Sequence, residues 1–385
     1  MPSYRDDRQK TIGNIYFVWN PYQPLPAGTG GTENYTIGHV RELNRRGIKA
    51  HVVTIGVGLT DGRDEFTDIP FVSLASVADV DDLDGVVIFV AEFPVVATRR
   101  PAYQMLHVPP PGADVDRVRI AATMQDRSLI ATSRFAAGLW AEFLDVDVDT
   151  ISIVYPYAEL CFSTEVRPPA DDAEIRILYA GRLSPEKGIY TLLAMLDLVP
   201  AGRDRSFTCT ATTAGADKPH GRNIQRVLEA HPRVRVVPRR TTPRSMATLM
   251  AQHDIIVMPS NSQYWHETFG IVSIEAQHSG CRVVASDDGG LPETDCGSIT
   301  LVAPDNPAAL ARGIHDATAL GPVDELVRIN AAARFTVDHS VDGLIDVLLM
   351  PSSITPAAVV RDLETLVLLP AADDPRELAT LPTPV

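Results

Sequence analysis

Short apolar runs recur along the chain, and most are followed by a turn and then a stretch with apolar residues three or four positions apart. The runs read as buried strands and the periodic stretches as helices. The first strand is Ile15 to Trp19, and a Pro/Gly-rich loop follows from Pro21 to Gly31. A helical pattern then runs from Thr32 to Arg46, with Gly47 as its stop, and His51 to Ile55 is the next strand. Strand, glycine loop, helix and strand make a Rossmann-like unit. Later strands are expected at Val86–Val90, Tyr103–His107, Leu129–Thr132 and Ile151–Val154, and Ser133 is placed to cap a helix running to Leu144.

Between Tyr155 and Ala173 the alternation breaks at Pro156, Pro168 and Pro169. It restarts with strand Ile175–Tyr179, the loop Ala180–Gly188, a helix to Leu198 and strand Phe207–Ala211. Helix Arg222–Ala230, strand Val234–Val237, helix Pro243–Gln252 and strand Ile255–Met258 come next. Helix Gly270–Ser279 is stopped by Gly280 before strand Arg282–Ala285, and helices Pro307–Ala319 and Val323–Ala333 close the series. Alternation in both halves predicts an α/β protein with two parallel-sheet domains, a size that 385 residues accommodate. The expected division is 1–170, 171–335, and a C-terminal helix with a Pro-rich tail at 336–385 that packs back on the first domain.

Charge narrows the partners. The net charge is −15, against the sign expected of a general nucleic-acid or anionic-membrane binder. No apolar run approaches the ~20 residues that span a bilayer. The four cysteines, Cys161, Cys209, Cys281 and Cys296, show no Cys-x-x-Cys spacing, so a cytoplasmic chain without disulfides is expected. Lysine is scarce, at Lys10, Lys49, Lys187 and Lys218, which draws attention to the setting of each.

One lysine lies in GRLSPEKG, Gly181 to Gly188. Arg182 and Lys187 stand just past a strand end, where open α/β sheets bind ligands, and together they suit a diphosphate. A solvated loop with two surface charges remains an equal alternative for these residues alone. In HETFGIVSIEAQHSGCRVVASDDGGLPE, Glu267 precedes a helix that begins at Gly270, and Glu275 lies more than a turn into it. The helix start favours an anion, Gly270 allows close approach, and Glu275 could accept hydrogen bonds from vicinal hydroxyls. Two surface carboxylates would explain the pair equally simply. Gly289 and Gly290 form a second turn.

GTGGTENY, Gly28 to Tyr35, puts Gly30 and Gly31 at a helix start. It is not G-x-G-x-x-G, and Thr54-Ile55-Gly56 ends the next strand without an acid, so a nicotinamide cofactor is not supported. His107 ends a strand before Pro109–Pro111 and is either a packed residue or a site residue. The histidines show no metal-ligand spacing, and neither a Walker loop nor a G-x-S-x-G elbow is present. Arg233 and Arg235 are expected to face solvent, whereas Arg239 and Arg240 fall in a loop on the ligand edge. Asp61 to Asp84 holds eight acids against Arg63, which would suit a cationic acceptor.

Together, GRLSPEKG and the segment from His266 to Glu293 resemble the family 4 retaining glycosyltransferases of the GT-B fold. GGTENYTIGHVRELNRRGIKAHVVT and SLIATSRFAAGLW support the likeness, which covers Ile12 to Thr336. The resemblance implies two Rossmann-like domains facing across a cleft, with a nucleotide-sugar donor on the second and an acceptor on the first. It implies Arg182 and Lys187 for the diphosphate, Glu275 for the ribose and Glu267 beside the sugar and phosphate. Backbone N–H groups of Phe269, Gly270, Ile271 and Val272 would meet the sugar and β-phosphate. Gly30 and Gly31 would approach the diphosphate, His107 the transferred sugar, and Arg240 the donor from the neighbouring loop.

The activity this resemblance implies is retaining transfer of a hexose or amino-hexose, from a UDP-sugar ahead of a GDP-sugar, to a small soluble hydrophilic acceptor, as in secondary-metabolite glycosylation. No metal or other cofactor, no nucleic acid and no integral membrane contact is expected, and the oligomeric state is left open. A nucleotide-sugar epimerase and a non-catalytic binding subunit are the alternatives. The sequence departs from the family at Tyr155-Pro156-Tyr157-Ala158 and at Pro238-Arg239, which leaves the base undetermined.

Overall fold

The computed structural model describes residues 12–26, 30–90, 96–112, 117–124, 127–168, 174–198, 206–263 and 265–350. Gly28 and the Pro-rich tail lie outside these residues. The described residues belong to one compact unit.

The first sheet contains β1 (Ile15–Val18), β2 (Ala50–Ile55), β3 (Phe71–Leu74), β4 (Val86–Phe89), β5 (Ala102–Leu106), β6 (Arg127–Ala131) and β7 (Ser152–Ile153). Its order is β3-β2-β1-β4-β5-β6-β7, with every pair parallel. The second contains β8 (Glu174–Tyr179), β9 (Ser206–Thr212), β10 (Val234–Val237), β11 (Ile255–Met258), β12 (Arg282–Ser286) and β13 (Ile299–Val302). Its order is β10-β9-β8-β11-β12-β13, again all parallel. Chain order reverses between β1 and β4 in one sheet and between β8 and β11 in the other. Such switch points open a crevice at the strands' carboxyl ends.

The helices of the first half are α1 (Gly31–Arg45), α2 (Arg117–Met124) and α3 (Arg134–Leu144), followed by the short α4 (Cys161–Thr164). Next come α5 (Ile189–Leu198), α6 (Pro219–Ala230), α7 (Pro243–Ala251) and α8 (Ile271–His278). The last are α9 (Pro307–Ala319), α10 (Glu325–Ala332) and α11 (Val337–Leu349). Their ends follow local chemistry. Ser133 caps α3 by accepting the Ala136 N–H at 2.9 Å, and Gly47 (φ 82°) stops α1 in the left-handed region.

Strands β1 and β4 are buried along their whole length or nearly so, which makes them continuous apolar runs. By contrast, β3 and β13 went unread in the sequence. Both are outer strands and half-exposed, so neither carries such a run. The unread α2 buries only Ile120 and Met124. Within the Pro-punctuated stretch, α4 packs Phe162 into the second domain's core beside Ala158.

The chain crosses back at its described end. Val341, Leu344 and Val347 of α11 join the core that α1 builds from Ile37, Val40 and Leu43. Arg46 ties the two helices through Asp342 at 2.5 Å and Asp338 at 2.8 Å. Ser340 adds a buried link, donating to the Tyr155 carbonyl at 2.6 Å and meeting His39 Nε2 at 3.1 Å.

One expectation needs correction, and a second is narrowed. Arg233 does not simply face solvent, because it donates to the Leu196 carbonyl at 2.9 Å and lies over the Phe207 ring. The acid-rich stretch is largely engaged within the fold. Asp61 is buried against Arg63 and Thr54, Asp68 pairs with Arg41, and Asp84 takes Tyr16 and Asn14. Asp79 accepts the Ser76 N–H, and Asp81 accepts Thr98 and the Arg99 N–H. Arg63 and Arg41 offset the charges of Asp61 and Asp68, which leaves fewer acids to attract a cationic acceptor.

Candidate active site

Three neighbouring strand ends of the second sheet build the site. After β8, the buried Tyr179 donates its hydroxyl to the Arg182 carbonyl at 2.7 Å and approaches the Lys187 carbonyl at 3.3 Å, which shapes the loop. Gly188 closes that loop at φ 69°, where a Cβ would collide with the Pro259 carbonyl. The turn after β11 lies against it, with the Asn261 N–H bound to the Glu186 carbonyl at 3.0 Å. After β12, Gly290 N donates to the Glu267 carbonyl at 2.7 Å. Cβ atoms at Gly289 and Gly290 would collide with the backbone of Glu267 and Thr268, so the glycine turn is needed for this approach.

This scaffold brings Lys187 and Glu267 into a direct ion pair, with their side chains only 19% and 12% exposed. Ser260 Oγ donates to the same Glu267 oxygen at 3.0 Å. Burial alone pushes the Glu267 carboxyl up, but Lys187, Ser260 and the nearby Arg182 together hold it below its ordinary range. Arg182 leans on Glu186 at 3.6 Å and stays largely exposed, leaving guanidinium donors for an anion.

Gly270 (φ 100°) precedes α8, and Phe269 is buried beside it. At the helix start the Ser273 N–H bonds the Gly270 carbonyl at 2.9 Å, which leaves the Ile271 and Val272 N–H groups to meet an anion. Across the cleft α1 starts at Gly31, where a Cβ would lie 3.3 Å from Ile271 Cδ1. Two helix N-termini therefore converge, and their dipoles favour an anion between them. Gly30 is the N-cap of α1, and a Cβ there would run into the Glu33 carboxylate.

Glu275 lies deeper on α8, buried, with its carboxyl raised to about 8 by burial and by Glu159. His107 follows β5, its Nε2 buried with no hydrogen-bond partner among the described residues. Its ring meets Tyr35 edge-on at 4.9 Å, and burial lowers its pKa to about 3, so it is neutral. Arg240 lies on the loop after the outer strand β10, with β9 between that strand and β8.

Sequence reading missed Thr268, which links the domains. Its hydroxyl donates to the His107 carbonyl at 2.7 Å, and its own carbonyl accepts Ser133 Oγ. It also gave no role to Glu293, which reaches the first domain. Neither role has a local signal, because the partners are 161 and 159 residues away.

Among the described residues, no cluster of three His, Cys, Asp or Glu side chains could hold a metal, and no helix is long and apolar enough to cross a membrane.

Residues 174–319 match the family described as Glycosyl transferases group 1. The Anabaena protein HepE, solved with UDP and glucose, superposes with a TM-score of 0.69 at 19% identity, covering 88% of this chain and 100% of that one. A glycosyltransferase from Rickettsia africae gives the same TM-score at 18% identity, covering 88% and 98%. The fold is GT-B. The chain is also similar to proteins named D-inositol 3-phosphate glycosyltransferase. The one from Corynebacterium efficiens is 31% identical over 163 residues, 38% of this chain and 37% of the relative. That from Jonesia denitrificans is 29% identical over 251 residues, 58% and 57% respectively. The match thus spans between about two fifths and three fifths of these relatives. The resemblance to family 4 glycosyltransferases rests on this family match, these relatives and the shared fold.

Proposed function

We propose that this protein is a retaining glycosyltransferase. It moves a hexose or amino-hexose from a nucleoside-diphosphate sugar, UDP ahead of GDP, to a small hydroxyl-bearing acceptor. The observation that carries the reading is the Lys187–Glu267 pair beside Arg182, at a cleft where the starts of α1 and α8 converge. Cations and helix N-termini aimed at one point suit a leaving diphosphate, whose charge grows in the transition state. Arg182, Lys187 and the α8 N–H groups would do this without a metal.

In this reading Glu267 orients the Lys187 ammonium and the sugar hydroxyls, and Glu275 receives the ribose hydroxyls. His107, neutral, hydrogen-bonds the transferred sugar through Nε2. The bond to the leaving phosphate breaks as the acceptor oxygen attacks the same face, and a phosphate oxygen takes the acceptor proton. The names of the relatives favour a cyclitol or its phosphate as the first acceptors to try.

The test is transfer from UDP-, GDP-, ADP- and dTDP-sugars by wild type and Glu267→Gln. Wild type should form an α-linked product from an α-linked donor, and E267Q should lose at least about 100-fold in kcat while unfolding at a similar temperature. An epimerised donor without acceptor, an inverted product, or wild-type turnover in E267Q would overturn the reading.

A further inference from the structure

Glu293 stands on the turn after β12, in the second domain, yet its carboxylate binds the start of a first-domain helix. Oε1 accepts the Phe135 N–H at 2.8 Å and Oε2 accepts the Arg134 N–H at 3.0 Å. Oε2 also accepts the Tyr155 hydroxyl at 2.8 Å. Burial and this bond raise the Tyr155 pKa to about 12, so the phenol remains the donor. The orphan N–H groups that open α3 are thereby satisfied from across the cleft, by a full negative charge at the positive end of the helix.

The same helix turn is held a second time. Ser133 Oγ, the cap of α3, donates to the Thr268 carbonyl, and the Phe135 ring meets His266 edge-on at 5.7 Å. Both grips come from one rigid piece of the second domain, since Gly290 bonds the Glu267 carbonyl and the 289–290 turn packs against Thr268. The loop that carries Glu267 is therefore docked on the strand end that carries His107, through Thr268 Oγ1 and the His107 carbonyl.

We propose that Glu293 is a positioning residue that holds the two domains in the register joining the Glu267 loop to His107. Its carboxylate bonds the Arg134 and Phe135 N–H groups and the Tyr155 hydroxyl, so it acts through α3 and Tyr155. Its connection to transfer rests on the function proposed above, but its structural role does not. A cavity of about 730 Å³ bordered by Glu293, Tyr155, Arg134 and Arg334 leaves room for an amide in place of the carboxylate.

The experiment compares full-length wild type, Glu293→Gln and Glu293→Ala by small-angle scattering, amide hydrogen exchange, UDP affinity and transfer kinetics. In E293A the radius of gyration should increase, and amides of residues 134–137 should exchange about tenfold faster, as expected for a lost cap. UDP affinity, held mainly by Arg182, Lys187 and Glu275 of the second domain with α1 adding only its helix start, should fall by no more than about threefold, while kcat should fall about tenfold or more. E293Q, which keeps one acceptor oxygen, should fall between, and it carries the test if E293A does not fold. Adding Thr268→Val to E293A should cost less than the product of the two single effects. Unchanged scattering and exchange in both variants would overturn the proposal, as would equal losses of UDP affinity and kcat. If wild type turns over no nucleotide sugar, the transferase reading fails, and scattering with exchange still decides the role of Glu293.

Discussion

Replacing Lys187 by Met removes one charge of the buried pair while keeping most of the side-chain volume. Glu267, whose side chain is 12% exposed, would be left with the Ser260 hydroxyl and the more distant, solvated Arg182. Breaking such a pair costs about 3–5 kcal/mol when the remaining charge stays ionised. The sign of the pH dependence follows from the pKa. In wild type the folded value lies below the ordinary 4.5, so the stabilisation is present above that value and is lost as pH falls through the folded one. Without Lys187, burial dominates and raises the folded value, so the variant gains relative stability as pH falls and the carboxyl takes a proton. Urea unfolding of the two proteins at pH 8 and pH 5.5 should show a loss of about 3 kcal/mol at the higher pH, shrinking by at least about half at the lower. The double variant K187M/E267Q should recover much of the loss at pH 8. A loss below about 1 kcal/mol, or one independent of pH, would refute the claim that these two charges compensate each other.

Glu275 should behave in the opposite sense. With its folded value near 8, the stability it contributes is complete below the ordinary 4.5 and lost as pH rises through 8. Glu275→Gln should therefore exceed wild type by about 4–5 kcal/mol at pH 8.5 and match it near pH 4.5 in urea unfolding, yet bind UDP about tenfold more weakly. His39, His107, His253 and His278 are buried neutral, with values lowered to about 4, 3, 4 and 4. Their stabilisation is present above the ordinary 6.5 and lost as pH falls toward 4, so the urea midpoint should drop over that window and drop less in His278→Gln. Gly188→Ala should lower stability by about 2 kcal/mol or more and weaken UDP binding, because the added methyl meets the Pro259 carbonyl at a left-handed backbone position; calorimetry and titration check both.

The strands that were easiest to read are the ones buried on both faces. IYFV and VVIF in the first sheet and IIVM in the second carry no polar interruption, because helices cover both sides. The outer strands FVSL and ITLV meet solvent, and their pattern weakens accordingly. At the site, Arg182, Lys187, Glu267 and Gly270 were legible because each stands at a strand end or helix start. Their pairing was not, since Lys187 and Glu267 are 80 residues apart. Charge was the least transparent signal. The acids from Asp61 to Asp84 form a conspicuous block in sequence, yet five of the eight bond within the first domain. Glu293 shows the converse: a single acid at the end of a glycine turn joins both domains because that turn faces the start of α3.

The central claim is that the converging helix starts and Arg182, Lys187 and Glu267 hold a nucleotide diphosphate whose sugar is transferred. Calorimetric titration of UDP into the full-length protein, with Arg182→Ala beside it, tests this most directly. Saturable one-to-one binding to wild type without added metal, weakened about tenfold or more in the variant, is the result expected of a guanidinium–phosphate contact. Binding that requires a divalent ion, or the same affinity in both proteins, would contradict the claim.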